Sequence, residues 1–162
     1  MKNKKKVPEI SIIIPCYNLE SIVKTTVKNI LKNLEKFSDS FEILIVNDGS
    51  TDNTLEVIQD IKNNHECIHV ITYSQNKGKG YAVKTGILQS IGSSIVFIDG
   101  DLDITSDAIQ NYIEELNNFD LVIGSKSLQN SEIEIRQSRK ILSDIFSSIV
   151  KLYSKNDIHK AV

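Results

Sequence analysis

The chain has 162 residues, the length of one domain, and its 40% hydrophobic and 25% charged composition is that of a globular protein. That composition excludes a disordered tail, a collagen-like repeat and a multi-span membrane protein. Four of the 19 basic residues fall in the first six positions, leaving 15 against 21 acidic residues, a net −6 that argues against a nucleic-acid binder because phosphate neutralisation needs a basic face.

Residues 1–8 read as a basic flexible tail. Val7-Pro8-Glu9 stands where a secretory signal needs an apolar run, and no stretch approaches the ~20 apolar residues that span a bilayer. Residues 10–14 are apolar on both faces and predict a buried strand. A helical period follows over 19–37, with Ile22, Val23, Val27, Ile30, Leu31 and Leu34 on one face. A second strand spans 41–46 and turns through Asn47-Asp48-Gly49-Ser50; Thr51 or Asp52 then caps a helix carrying Leu55, Ile58 and Ile61. A third strand over 68–73 leads into a loop at 74–80 and a helix over 81–91, with Gly92 as its C-cap. The fourth strand, 94–98, ends in Asp99-Gly100-Asp101-Leu102-Asp103, and Thr105 or Ser106 starts the next helix. A fifth strand is expected over 120–124, and residues 135–153 form an amphipathic helix with paired apolar positions one turn apart.

Strands alternating with helices predict an α/β protein with a doubly wound, mostly parallel sheet and helices on both faces. Ligands of such sheets bind at the carboxyl ends of the strands. Every polar or glycine-bearing cluster of note follows a strand: 15–18, 47–50, 74–80, 99–103 and 124–126. The connections entering strands are bland, so the chemistry is expected on one edge.

Asp99, Asp101 and Asp103 bring three carboxylates to that edge in five residues. Unpaired, they repel one another and raise each other's pKa; a divalent cation resolves the conflict, and hard oxygen ligands suit Mg²⁺ or Mn²⁺. The alternative reading is an acidic turn that caps the next helix. Asp48, at the end of its strand, can accept from a base imide or a ribose hydroxyl, or is an ordinary turn aspartate. In Asn76-Lys77-Gly78-Lys79-Gly80 two glycines bracket a lysine ahead of a helix, an arrangement that suits a phosphate but lacks the Walker spacing. His65-Glu66-Cys67-Ile68-His69 has metal-like spacing but precedes a strand, on the wrong edge. Cys16 and Cys67 make no disulfide framework, so a reducing, cytoplasmic setting is the simpler reading. Both arginines, Arg136 and Arg139, stand with Lys140 at the start of the last helix, as a phosphate-binding group or a solvated face.

Four motifs occur in order: Ser-Ile-Ile-Ile-Pro-Cys-Tyr-Asn (11–18), Ile-Val-Asn-Asp-Gly-Ser-Thr-Asp (45–52), Asn-Lys-Gly-Lys-Gly-Tyr-Ala (76–82) and Phe-Ile-Asp-Gly-Asp-Leu-Asp (97–103). Together they resemble the family 2 glycosyltransferases of GT-A fold, a Rossmann-like architecture, and within them the polyprenyl-phosphate sugar synthases such as dolichyl-phosphate mannose or glucose synthase. The resemblance implies that residues 9–162 form a nucleotide-sugar-binding domain that lacks much of the acceptor-side C-terminal part. It implies that Pro15, Tyr17, Asn18, Glu20 and Asp48 surround the nucleotide, that Lys77 and Gly78 close the pocket, and that Asp99 and Gly100 flank it. Asp99, Asp101 and Asp103 match the metal and diphosphate motif, with Asp101 the central, catalytic ligand. Lys126, Arg136, Arg139 and Lys140 match a basic segment meeting the acceptor phosphate, with Arg139 also assigned to catalysis. Leu19 stands where a glutamate often follows Tyr-Asn, with Glu20 beside it, and Asp103 replaces a common Gln or His.

The expectation is therefore a metal-dependent, inverting transfer of a hexose from a UDP- or GDP-sugar to an acceptor, a polyprenyl phosphate being favoured because it is already anionic and needs no general base. Its place is cytoplasmic, peripheral at the membrane face, with no nucleic-acid partner. The alternative is a non-catalytic nucleotide-sugar-binding module that self-associates through the last amphipathic helix. A nucleotidyltransferase would need a Gly-rich, Arg-containing loop after the first strand, and Pro15-Cys16-Tyr17-Asn18 is not one.

Overall fold

The computed structural model describes residues 7–100 and 106–123. Contacts divide the chain into Met1–Glu114 and Glu115–Val162, and the whole sheet lies in the first unit. Strand β1 (Ile10–Cys16) is buried at every position, as a run of isoleucines on both faces requires. It is flanked by β2 (Phe41–Asp48) on one side and β4 (Ser94–Phe97) on the other, with β3 (Ile68–Tyr73) beyond β2. The order is β3-β2-β1-β4, and every pairing is parallel.

Helices α1 (Val23–Leu34) and α2 (Thr54–Asn63) pack on one face. Their Val23, Val27, Ile30, Leu34 and Ile58 join Ile12, Ile14, Ile43 and Ile45 in the main core, to which α4 (Ser106–Glu115) adds Ile109. Burying each such side chain contributes about 1.5–3 kcal/mol, so this face carries most of the stability. Helix α3 (Lys79–Gln89) covers the opposite face, where Ala82 meets Ile13 and Val46. Its close approach depends on Gly86, where a Cβ would come within 2.4 Å of Ile13 Cγ2. Helices on both faces of a parallel sheet are the doubly wound arrangement expected from the sequence.

Several details differ from the sequence expectation. No strand forms over residues 120–123, and Gly124 lies outside the described residues. Helix α1 begins at Val23 rather than 19, because residues 18–20 are hydrogen-bonded to the next loop. Strand β2 runs on to Asp48, held by pairing of Asn47 with Thr72 and Asp48 with Tyr73. Gly92 is not the cap of α3. The helix ends at Ser90, and Gly92 instead packs against β1, where its N–H donates to Ser11 Oγ at 2.8 Å and a Cβ would lie 2.6 Å from that oxygen. The tail lysines and the expected helix over 135–153 lie outside the described residues. Among the described residues no helix is long and apolar enough to cross a membrane.

Candidate nucleotide-binding site

A cavity of about 290 Å³, at the small end of the range for small-molecule sites, opens at the carboxyl ends of the strands. Pro15, Tyr17, Asp48, Gly78, Asp99 and Gly100 line it, together with Cys16, Leu19, Asn76, Lys79 and Ala82. All four sequence motifs, the glycine loop among them, thus converge on one concavity, because a parallel sheet delivers all its strand ends to the same edge.

The walls are fastened by loop-to-loop hydrogen bonds. The N–H groups of Asn18, Leu19 and Glu20 donate to Ser50 Oγ (3.0 Å), Thr54 Oγ1 (2.7 Å) and Asp52 Oδ2 (3.2 Å). In return, Thr51 N–H donates to Asn18 Oδ1 at 2.8 Å and Asn53 N–H to Glu20 Oε2 at 2.8 Å. Asn18 adopts φ +53°, a left-handed conformation that asparagine tolerates. Neither Asn18 nor Glu20 lines the cavity. Their side chains are committed to the neighbouring loop, which holds Pro15 and Tyr17 in the wall.

Asn53 occupies the cap position of α2 without a side-chain bond. Asp52 does that work from one residue earlier, accepting from Thr54 N–H at 3.0 Å and from the Thr54 hydroxyl at 2.5 Å. Burial raises the Asp52 carboxyl, but the bonds from Thr54 and from Glu20 N–H outweigh it and hold the pKa below the ordinary value. A depressed carboxylate stabilises the fold above its unfolded pKa of about 3.9 and loses that contribution as pH falls through the folded value. Asp52→Ala should therefore cost about 0.5–1 kcal/mol at pH 7. Urea midpoints of the two proteins should converge below about pH 4; a gap independent of pH would sink this account.

Asp48 is 2% exposed, and its Oδ1 accepts from Lys77 N–H at 2.8 Å. Asn76 Nδ2 donates to the Asp48 carbonyl at 3.1 Å, so the loop before α3 is wrapped over the end of β2. Lys77 itself does not line the cavity; its ammonium sits 4.5 Å from the Tyr81 ring centroid and 5.4 Å from that of Tyr73. Gly78, at φ +88°, turns the chain into α3. On the far wall Thr26, fully buried in α1, donates to the Gly100 carbonyl at 2.9 Å and fixes the segment carrying Asp99. Asp99 Oδ1 forms an ion pair with the Lys79 ammonium. A carboxylate oxygen already held by a cation has the hard-ligand chemistry that suits a divalent metal at this position. Asp101 and Asp103, the other two carboxylates of the motif, and the basic residues Lys126, Arg136, Arg139 and Lys140 lie outside the described residues.

The sequence reading missed the ion pair between Lys79 and Asp99. The glycine-bracketed lysine is visible in the sequence, but its partner lies in the segment after β4, on another element. Cys16 is buried in the core, and burial pushes its thiol up to about 12, which leaves it protonated and inert as a nucleophile. His69 lies 3.7 Å from Glu42 Oε2, at the opposite end of the sheet from the cavity.

Comparison with known proteins shows the family and the fold. The chain is 31% identical to the dolichyl-phosphate beta-glucosyltransferase of Drosophila melanogaster, covering 93% of this chain and 51% of that protein. Among solved structures, it resembles the mannosyltransferase PcManGT from Pyrobaculum calidifontis, in complex with GDP-Man and Mn²⁺, with TM-score 0.60 and 23% identity over 68% of this chain and 33% of that one. It also resembles glucosyl-3-phosphoglycerate synthase from Mycobacterium tuberculosis, in complex with Mn²⁺, UDP and phosphoglyceric acid, with TM-score 0.55 and 23% identity over 71% and 41% of the two chains. These are likenesses of fold, the GT-A type. The chain spans a quarter to a half of the length of the curated relatives it matches. The model of glycosyl transferase family 2 matches residues 11–159, a span that takes in every wall of the cavity and the carboxylate motif. On that match the chain belongs to glycosyl transferase family 2.

Proposed function

We propose that this chain carries the donor site of a hexosyltransferase that uses a UDP- or GDP-sugar and a polyprenyl-phosphate acceptor. The observation that carries the reading is one cavity whose lining includes both Asp48 and Asp99, together with Pro15 and Gly78. Asp48 is the acceptor for a base N–H, since a carboxylate has no proton to donate. Tyr17, half-exposed in the cavity wall, offers a ring for the base to lie against. Asp99, Asp101 and Asp103 are the residues to hold Mg²⁺ or Mn²⁺, which supplies charge neutralisation at the departing diphosphate. Lys79, released from Asp99, is placed to take a phosphate oxygen at the start of α3. In the transfer, an acceptor phosphate oxygen forms the new bond to the anomeric carbon as the bond to the nucleoside diphosphate breaks, with inversion. Arg136, Arg139, Lys140 and Lys126 are the residues to hold that acceptor, at the surface of a membrane.

Calorimetric titration with UDP and GDP, with and without Mn²⁺, tests the donor site. Wild type is expected to bind at least one nucleotide more tightly with Mn²⁺, and Asp101→Asn to lose that gain. Failure of wild type to bind either nucleotide would overturn the reading.

A further inference from the structure

We propose that Tyr73 is a positioning residue for nucleotide recognition, its buried hydroxyl donating to the Asp48 carboxylate when a base engages that carboxylate, a role that rests on the donor-site reading above. Tyr73 ends β3 and Asp48 ends β2, and the two are register partners across a parallel pair. The Tyr73 hydroxyl is buried without a well-formed hydrogen bond, and the side chain it interacts with is that of Asp48. The Asp48 carboxylate is buried too, and among the described residues its one well-formed hydrogen bond comes from Lys77 N–H. A buried donor without a well-formed bond thus stands beside a buried anion with a single such donor, and one bond between them satisfies both.

The phenol is held in place to make that bond. Tyr81 meets its ring edge-on, with centroids 5.5 Å apart, and the Lys77 ammonium lies 5.4 Å from its centroid. Burial, and after it the interaction of the hydroxyl with the Asp48 side chain and the charge of that carboxylate, push the phenol above its ordinary pKa, so the hydroxyl keeps its proton and is a donor. Tyr73 does not line the cavity, whereas Asp48 does, so any effect on a nucleotide passes through the carboxylate. An unsatisfied buried hydroxyl destabilises the free protein, and such groups are retained where a bound state uses them.

Tyr73→Phe removes only the oxygen, and the test pairs calorimetric binding of UDP and GDP with urea unfolding. The variant is expected to bind about three- to tenfold more weakly while its urea midpoint stays level or rises. A hydroxyl that merely supports the fold predicts a lower midpoint. Unchanged affinity, or weaker affinity accompanied by a lower midpoint, overturns the role of Tyr73 and leaves the donor site standing. If wild type binds neither nucleotide, the donor-site reading and the role of Tyr73 fall together.

Discussion

Asp48→Asn should weaken UDP and GDP binding by about 10- to 100-fold while leaving the fold intact. The substitution is isosteric, and an amide oxygen can still accept from Lys77 N–H, which lies 2.8 Å from Oδ1. The loop over β2 therefore keeps its anchor. What changes is the other end of the group, where an acceptor oxygen becomes an NH₂ donor. Uracil presents N3–H and guanine N1–H, so a donor then faces a donor inside a buried site. Cytosine carries an acceptor at N3, and CDP should lose less affinity than UDP does, or gain. Calorimetry with the three nucleotides reads this directly. Equal UDP affinity in the variant and wild type would remove Asp48 from base recognition.

Gly49→Ala is expected to cost about 3 kcal/mol of stability and to disable the cavity. Two causes combine. Gly49 has φ +65°, a left-handed conformation that a Cβ penalises by about 1–2 kcal/mol. That Cβ would also lie 2.5 Å from Asn76 N and 2.6 Å from the Gln75 carbonyl carbon. Both neighbours are backbone and cannot rotate away, so the loop at 74–78 must move as a unit. It carries Asn76 and Gly78 of the cavity wall and the N–H that holds Asp48. Urea unfolding and nucleotide titration should both register the change, and a variant with wild-type values in each would contradict the packing described.

Much of the candidate site is legible in the residues because a parallel sheet converts chain order into spatial order. Pro15, Tyr17, Asp48, Gly78, Asp99 and Gly100 are candidate site residues by strand-end position and family motif, and all six line one cavity. The apolar runs were as informative: Ile10–Cys16 is apolar on both faces, so it had to lie inside the sheet with helices on either side. Boundaries were less legible. Gly92 has the composition of a helix cap, yet its place is set by Ser11 on a strand 81 residues earlier, which leaves no room for a side chain.

The roles of polar side chains were the least legible, for a related reason. Asn18 ends the first motif and Glu20 follows it, and the oxygens of both accept from the backbone of Thr51 and Asn53. Lys79 pairs with Asp99 and Tyr73 interacts with Asp48, its register partner, and neither relation has a counterpart in local spacing. Hydrophobic periodicity and turn chemistry act over a few residues, so the order of elements, the buried strands and the functional edge can be read along the chain. A hydrogen bond or ion pair depends on which loops the closed sheet brings within about 3 Å of one another, and that distance exists only once β1, β2 and β4 are aligned in register.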